Sequence, residues 1–247
     1  GYTEIMSNSL TKAAYYDGLT SYKAENCVKI MNPLSADLNV MRQTLLFNAL
    51  EAVELNINHR NADLKLFELG NCYFFHPEVE AGENPLARYS ESYRIAIAVT
   101  GQDATPSWNV KSAKSSFYTL RATVEKLLRR FGIDIYTLRS ESSQSDLYSD
   151  GIIYTQGPRT VVEMGIVAPE ILRRFDIKQG VYFAEIDFDL IVRSAKKQKI
   201  AVEELSKFPE VKRDLALLVD KGVTFSELRN IAFATEKKLL KRVTLFD

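Results

Sequence analysis

A chain of 247 residues with 46% hydrophobic and 11% aromatic side chains can bury a substantial core, as one large domain or two unequal ones. Its 32 Lys and Arg balance 32 Asp and Glu, so no overall charge drives it to nucleic acid or membrane, although local basic patches stay open. Cys27 and Cys72 are the only cysteines, which points to a reduced, intracellular protein rather than a disulfide scaffold. No apolar run reaches membrane-spanning length and GYTEIMSNSL is not a signal peptide, so the expected location is the cytoplasm.

In chain order, TEIMS reads as a short strand and SLTKAAYYDGL as a helix closed by Gly18. VKIM is extended and leads into the turn pair Asn32-Pro33. Leu46, Ala49, Leu50, Val53 and Ile57 recur at spacings of three and four, which predicts an amphipathic helix. LKLFELGNCYFF and YRIAIAVTG read as neighbouring strands across an exposed loop, HPEVEAGENPLARYSES. A helix over Phe117–Phe131 follows, capped by Ser115 or Ser116, with Phe117, Leu120, Val124, Leu127 and Phe131 on its buried stripe. IDIYTL, GIIYT, TVVEMGIV and VYFAEIDFDL then read as strands, interrupted by the short helix PEILRRF. Successive strands with flanking helices predict an α+β domain on a mainly antiparallel sheet.

The charged run over residues 196–208 ends in Phe208-Pro209 and marks a boundary. Beyond it, VKRDLALLVD, TFSELRNIAFATEKKLL and KRVTLFD read as strand, helix and strand, with Thr224 and Glu227 as a capping box. That order is half of a ferredoxin-like unit. About forty residues with one helix bury too little apolar surface to stand alone, so the reading expects a truncated piece. The predicted division is 1–200 and 207–247.

Direct signals for enzyme chemistry are poor. His59 and His76 lack metal-ligand spacing to the cysteines, and no HExxH, CxxC, GxSxG, P-loop or GxGxxG occurs. KSAKSS lacks the SxxK order of a Ser–Lys hydrolase. Glu185, Asp187 and Asp189 alternate along a predicted strand, so their carboxylates would share one face and suit a hard cation such as Mg²⁺. The competing reading is a solvated sheet face, with Arg193, Lys196 and Lys197 near enough to neutralise the acids. Lys237, Lys238, Lys241 and Arg242 are suited to phosphates or to a solvated helix end.

The stretch Asn32–Gly70 carries polar residues that a plain core does not need, and it resembles the β-subunit family of bacterial phenylalanyl-tRNA synthetases. The matching residues are Asn32, Pro33, Leu34, Ser35, Asp37, Met41, Arg42, Thr44, Leu45, Leu46, Asn56, Arg60, Leu66, Phe67, Glu68, Leu69 and Gly70. VEMGIVAPEILRRFDIKQGVYFAEIDFD agrees too, and FPEVKRDLALLVD with LLKRVTLFD resembles the family's ferredoxin-like anticodon-binding domain. The match runs over essentially the whole chain in the right order.

The resemblance implies a class II synthetase-like module that has lost catalysis, followed by an incomplete ferredoxin-like β-α-β unit. Class II sites clamp the ATP phosphates with two arginines, a task suited to a bidentate, permanent charge. At the comparable places this chain has Phe74 and the glycine-free FAEIDFDLI. The fragment is therefore expected to hold no cofactor and to be inactive alone, with ATP and Mg²⁺ used by the complete enzyme. Implied partners are the catalytic α subunit, in an assembly of two α and two β chains, and tRNA(Phe). Asn32, Pro33, Arg42, Arg60 and Glu68 would frame or dock the subunit. Arg42 and Arg60 are expected as buried or interfacial ion-pair partners, with Glu68 one possible mate. Lys212, Arg213, Lys241 and Arg242 are candidate tRNA contacts, against a local Arg213–Asp214 pair. Two alternatives remain: an active class II ligase in its own right, and a stand-alone RNA-binding or regulatory paralogue.

Overall fold

The computed structural model describes residues 1–80, 82–104, 107–109, 111, 113–196 and 207–245. The chain divides into two compact units, Gly1–Lys199 and Ile200–Asp247. Lys197 and most of the expected 196–208 boundary lie outside the described residues.

The first unit is built on seven strands in the order β1-β4-β5-β9-β8-β7-β6. They are β1 (Thr3–Glu4), β4 (Leu64–Phe75), β5 (Tyr89–Thr100), β6 (Arg139–Ser142), β7 (Tyr148–Gln156), β8 (Arg159–Val167) and β9 (Val181–Asp187). Only the β1–β4 pairing is parallel. A separate two-stranded ladder joins β2 (Leu10–Thr11) to β3 (Val40–Met41). The helices are α1 (Leu46–Asn58), α2 (Phe117–Arg130), α3 (Pro169–Arg173) and α4 (Phe188–Ala195).

Each sheet face carries a core. On one, Leu66, Ala96, Ala98, Val181 and Phe183 meet α1, α3 and the N-terminal arm. On the other, Ile95, Ile97, Val162, Met164, Ala184 and Ile186 meet α2 and α4. The alternation follows from the two-residue period of a strand. In α1 the expected residues Leu46, Ala49, Leu50 and Val53 are buried, and Ile57 packs against them partly buried. Phe47 is buried as well, because Tyr15, Tyr16 and Phe175 wrap the other side of the first turn.

Four expectations are corrected. SLTKAAYYDGL is not a helix: Leu10–Thr11 is ladder strand, and one 3-10 turn spans Ala13–Tyr16. Tertiary packing overrides propensity there, since Tyr16 is buried edge-on against Phe47 and its hydroxyl accepts from the Gln43 amide at 2.9 Å. IDIYTL is not a strand over its length: Asp134 accepts from the Tyr136 amide at 3.1 Å and folds Ile135–Thr137 into a 3-10 turn before β6. In α2, Ser116 and Thr119 form the capping box, and the fully buried stripe is Leu120, Val124 and Leu128, with Leu127 only partly buried. VYFAEIDFDL is strand only to Asp187, whose side chain accepts from the Leu190 amide at 2.9 Å and starts α4.

In the second unit the helix is present as α5 (Phe225–Thr235), with Thr224 and Glu227 in a reciprocal capping box. No strand forms over Val211–Asp220 or 241–245, and Leu215, Leu217 and Leu218 are exposed. A segment without ladder partners gains no hydrogen bonds from being a strand.

Candidate functional site

The polar residues of the Asn32–Gly70 stretch separate into three places. Arg42 and Glu68 form a buried ion pair, 3% and 1% exposed, with Arg42 Nη1 2.8 Å from Glu68 Oε1. Arg42 reaches it from the link between β3 and α1, and Glu68 from the face of β4 that meets α1. Arg42 Nε also donates to the Asn71 carbonyl at 3.0 Å, and Nη1 to Ser7 Oγ at 2.9 Å. Ser7 in turn donates through Oγ to Glu68 Oε2 at 2.6 Å and through its amide to Oε1 at 3.2 Å. This satisfies a charge that is costly to bury alone. Gly70 makes room for it: a Cβ there would lie 2.1 Å from Arg42 Nη2.

Arg60 is not buried. It is exposed just past the end of α1 in the left-handed region, φ +64°. Its charge there complements the negative end of the helix. Asn32 and Pro33 lie in an exposed loop where Met31 is 93% and Leu34 99% exposed.

The carboxylates Glu185, Asp187 and Asp189 do not form the expected row. Glu185 is buried on β9, Asp187 caps α4, and Asp189 is exposed in the first turn of α4. The helix start breaks the two-residue alternation. Glu185 instead receives the N-terminal end of α1: Oε1 accepts from Thr44 Oγ1 at 2.9 Å and from the Leu45 amide at 2.8 Å. Its Oε2 accepts from the Tyr22 hydroxyl at 3.3 Å and pairs with Arg94 Nη1. The expected neutralising cations, Arg193 on α4 and Lys196 just past its end, are exposed, and Arg94 on the neighbouring strand takes that role. Burial pulls the Arg94 pKa down, but Glu185 and then Tyr22 more than offset it, so the net shift is upward and the guanidinium stays charged. Burial, with Glu185 second, pushes the Tyr22 phenol well up, so it remains a neutral donor. Among the described residues no group of three His, Cys, Asp or Glu is arranged for a metal ion.

Phe74, at the place compared with a phosphate-binding arginine, is half-buried on β4 with the Arg94 guanidinium 5.2 Å from its ring centre. The partners of Glu185 that the sequence reading did not single out are therefore Arg94 and Tyr22. The available signal was an arginine in register with Ala96 and Ala98 on YRIAIAV, hence on the face that meets α1.

In the second unit Lys212, Arg213, Lys241 and Arg242 are all exposed, and no ion pair joins Arg213 to Asp214 among the described residues.

Comparison with known proteins accounts for both units. The family described as "Phenylalanyl tRNA synthetase beta chain CLM domain" matches residues 1–188, and "Ferredoxin-fold anticodon binding domain" matches 206–247. Phenylalanine–tRNA ligase β subunits of Bacteroides fragilis and Porphyromonas gingivalis are 47% and 43% identical over 100% of this chain. That of Chlorobium chlorochromatii is 34% identical, again over 100% of the chain. The chain spans 30% of the length of each of these relatives. In fold it is similar to the pyrrolysyl tRNA synthetase of Desulfitobacterium hafniense, with a TM-score of 0.56 at 12% identity over 79% of this chain and 63% of that one. A mainly antiparallel sheet with helices on both faces, read with these matches, places the chain in the phenylalanyl-tRNA synthetase β chain family.

Proposed function

We propose that this chain is the non-catalytic, synthetase-like module of a phenylalanine–tRNA ligase β subunit, together with part of its anticodon-binding domain. It assembles with a catalytic α subunit, in two copies of each, and supports the ATP- and Mg²⁺-dependent charging of tRNA(Phe) in the cytoplasm. Residues 1–200 form the module and 207–247 the beginning of the anticodon-binding domain.

One observation carries the non-catalytic part. Where a phosphate-gripping guanidinium is needed, the chain presents the Phe74 ring, and the arginine beside it, Arg94, is spent on Glu185. FAEIDFDLI lacks the glycines that let backbone approach a nucleotide. These residues do not fit ATP, and Glu185 and Asp187, engaged by α1 and α4, do not fit Mg²⁺. Both belong to the partner subunit.

The docking part is supported by the exposed Met31 and Leu34 beside Asn32 and Pro33, apolar surface that a partner would cover. Asn32, Pro33 and Arg60 belong to the docking surface, while Arg42 and Glu68 frame it from inside. Lys212, Arg213, Lys241 and Arg242 contact tRNA phosphates. The test is co-expression with the α subunit. The intact chain co-purifies, M31E/L34D weakens recovery without changing the melting temperature, and phenylalanine-dependent pyrophosphate exchange occurs only when α is present. Exchange by this chain alone, or full recovery of α with the loop variant, refutes the reading.

A further inference from the structure

The segment KSAKSS, which no catalytic reading explains, belongs to one limb of a small hairpin arm between β5 and α2. The Ser115 amide donates to the Gly101 carbonyl and the Asp103 amide to the Ala113 carbonyl, each at 2.8 Å. Gln102 and Lys114 face one another between them. All three pairings are centred on residue 108, so the chain reverses at Trp108 and Asn109. Across that turn the Ser107 hydroxyl donates to Asn109 Oδ1 at 2.9 Å. The foot of the arm is tied to the start of β4. Asp63 Oδ1 accepts from the Gln102 amide at 2.8 Å. Lys65 Nζ donates to the Asp103 carbonyl at 2.6 Å and lies 2.8 Å from Asp103 Oδ1.

Trp108 is the only tryptophan in the chain and is 97% exposed. Hairpin turns favour Asn, Asp and Gly, so neither the local backbone nor the core accounts for an indole there. A ring of that size held out in water is costly unless another surface covers it. The surroundings decide which kind of surface. Among the described residues of the arm no second large apolar side chain accompanies Trp108; Ser107 and Asn109 flank it, and Lys111 and Lys114 follow. A protein groove gains from several apolar anchors, whereas a nucleobase needs one flat ring to stack on. Asp103 is the only acidic residue in 101–115, and Lys65 pairs with it, which leaves the exposed Lys111 and Lys114 to set the charge of the arm. An aromatic tip with lysines along one limb suits unpaired nucleotides, the base on the ring and the phosphates on the ammonium groups.

We propose that the arm over residues 101–115 is an RNA-binding element, in which Trp108 stacks on an unpaired base and Lys111 and Lys114 contact the flanking phosphates. That the nucleic acid is RNA rests on the reading of this chain as part of a tRNA ligase; the stacking chemistry does not. The arm adds a contact in the first unit to those assigned above to the second.

The lone tryptophan makes the arm its own reporter. The full chain is titrated with an oligoadenylate of about twelve nucleotides, within the usual span of a single-strand site, and Trp108 fluorescence is followed. Sodium polyphosphate serves as an anion without bases. Saturable quenching by the oligonucleotide and not by polyphosphate is expected. In K111Q/K114Q the affinity falls, and the slope of log K against log salt drops by about 1.4, twice the single-strand increment of about 0.7 per phosphate. Anisotropy of labelled oligoadenylate gives the share of stacking: W108A weakens binding roughly 5- to 150-fold, and W108F, which keeps a ring, recovers most of the loss. All three side chains are exposed, so unchanged melting temperatures verify the fold. Absent quenching, equal quenching by polyphosphate, an unchanged salt slope, or parental binding by W108A overturns the inference. So does a Trp108 response to added α subunit without one to RNA, which makes the arm a protein contact instead. Recovery of the α subunit, which tests the ligase reading, is independent of every RNA titration.

Discussion

Replacing Glu68 by alanine removes one side of the most buried ion pair in the first unit. Ser7 Oγ and the Ser7 amide lose their acceptor, and Arg42 Nη1 loses its charged one, keeping only neutral partners such as Ser7 Oγ. Arg42 is only 3% exposed and its Nε is fixed on the Asn71 carbonyl, so the guanidinium cannot swing out to water. Leaving such a charge without its partner costs about 3–5 kcal/mol. For a unit of this size that lowers the melting temperature by roughly 6–20 °C. Arg42→Met with Glu68→Leu removes both charges together and should recover most of the loss, because an apolar pair of similar volume avoids the desolvation cost. Urea unfolding of the single and double variants gives both numbers. A loss below about 1 kcal/mol for Glu68→Ala, the range of solvent-exposed pairs, would refute the buried-pair reasoning.

Gly70→Ala should cost about 1–3 kcal/mol by urea unfolding, since its Cβ would meet Arg42 Nη2 at 2.1 Å and displace the same pair. Leu128→Ala should cost about 2–5 kcal/mol and Leu127→Ala clearly less, because Leu128 is fully buried whereas Leu127 is only partly so. Equal losses would mean that the helix is rotated. Burial raises the Asp146 carboxyl, but hydrogen bonds from Thr20 and Ser21 outweigh it and the net shift is downward. Its contribution is therefore present above the unfolded carboxylate value of about 3.9 and fades as pH falls through the lower folded value. Asp146→Asn should flatten the acid limb of the stability curve, and an unchanged limb would contradict the assignment.

Elements fixed by local periodicity were legible in the sequence, and those fixed by distant partners were not. The apolar spacing in Leu46–Ile57 and the alternation in LKLFELG and YRIAIAV are local signals, and α1, β4 and β5 follow them. SLTKAAYYDGL failed because Tyr16 is placed by Gln43 and Phe47, some thirty residues away in the chain. Asp187 was misread for a local reason: an aspartate that could extend an alternating strand is also a good helix cap, and the cap prevailed. At the site, a buried arginine needs a mate, and Glu68 was one candidate for either Arg42 or Arg60; only the fold selects Arg42 and leaves Arg60 exposed. Arg94 and Glu185 were not, because their meeting depends on β9 lying beside β5, a sheet order that no single segment encodes.

That sheet order also bears on how the protein is made. β9 is the last strand of the first unit to be synthesised, yet it sits between β5 and β8. The start of α1, at Thr44 and Leu45, waits for a carboxylate 140–141 residues further along the chain. At ribosomal speeds of roughly 5–20 residues per second, that delay is about 7–28 s. Throughout it α1 has an uncapped beginning, and from the time β5 is made until β9 follows, β5 has an open edge. The nascent chain is thus held short of its native sheet until nearly the whole unit has emerged, and any chaperone that shields open strand edges has that interval in which to act.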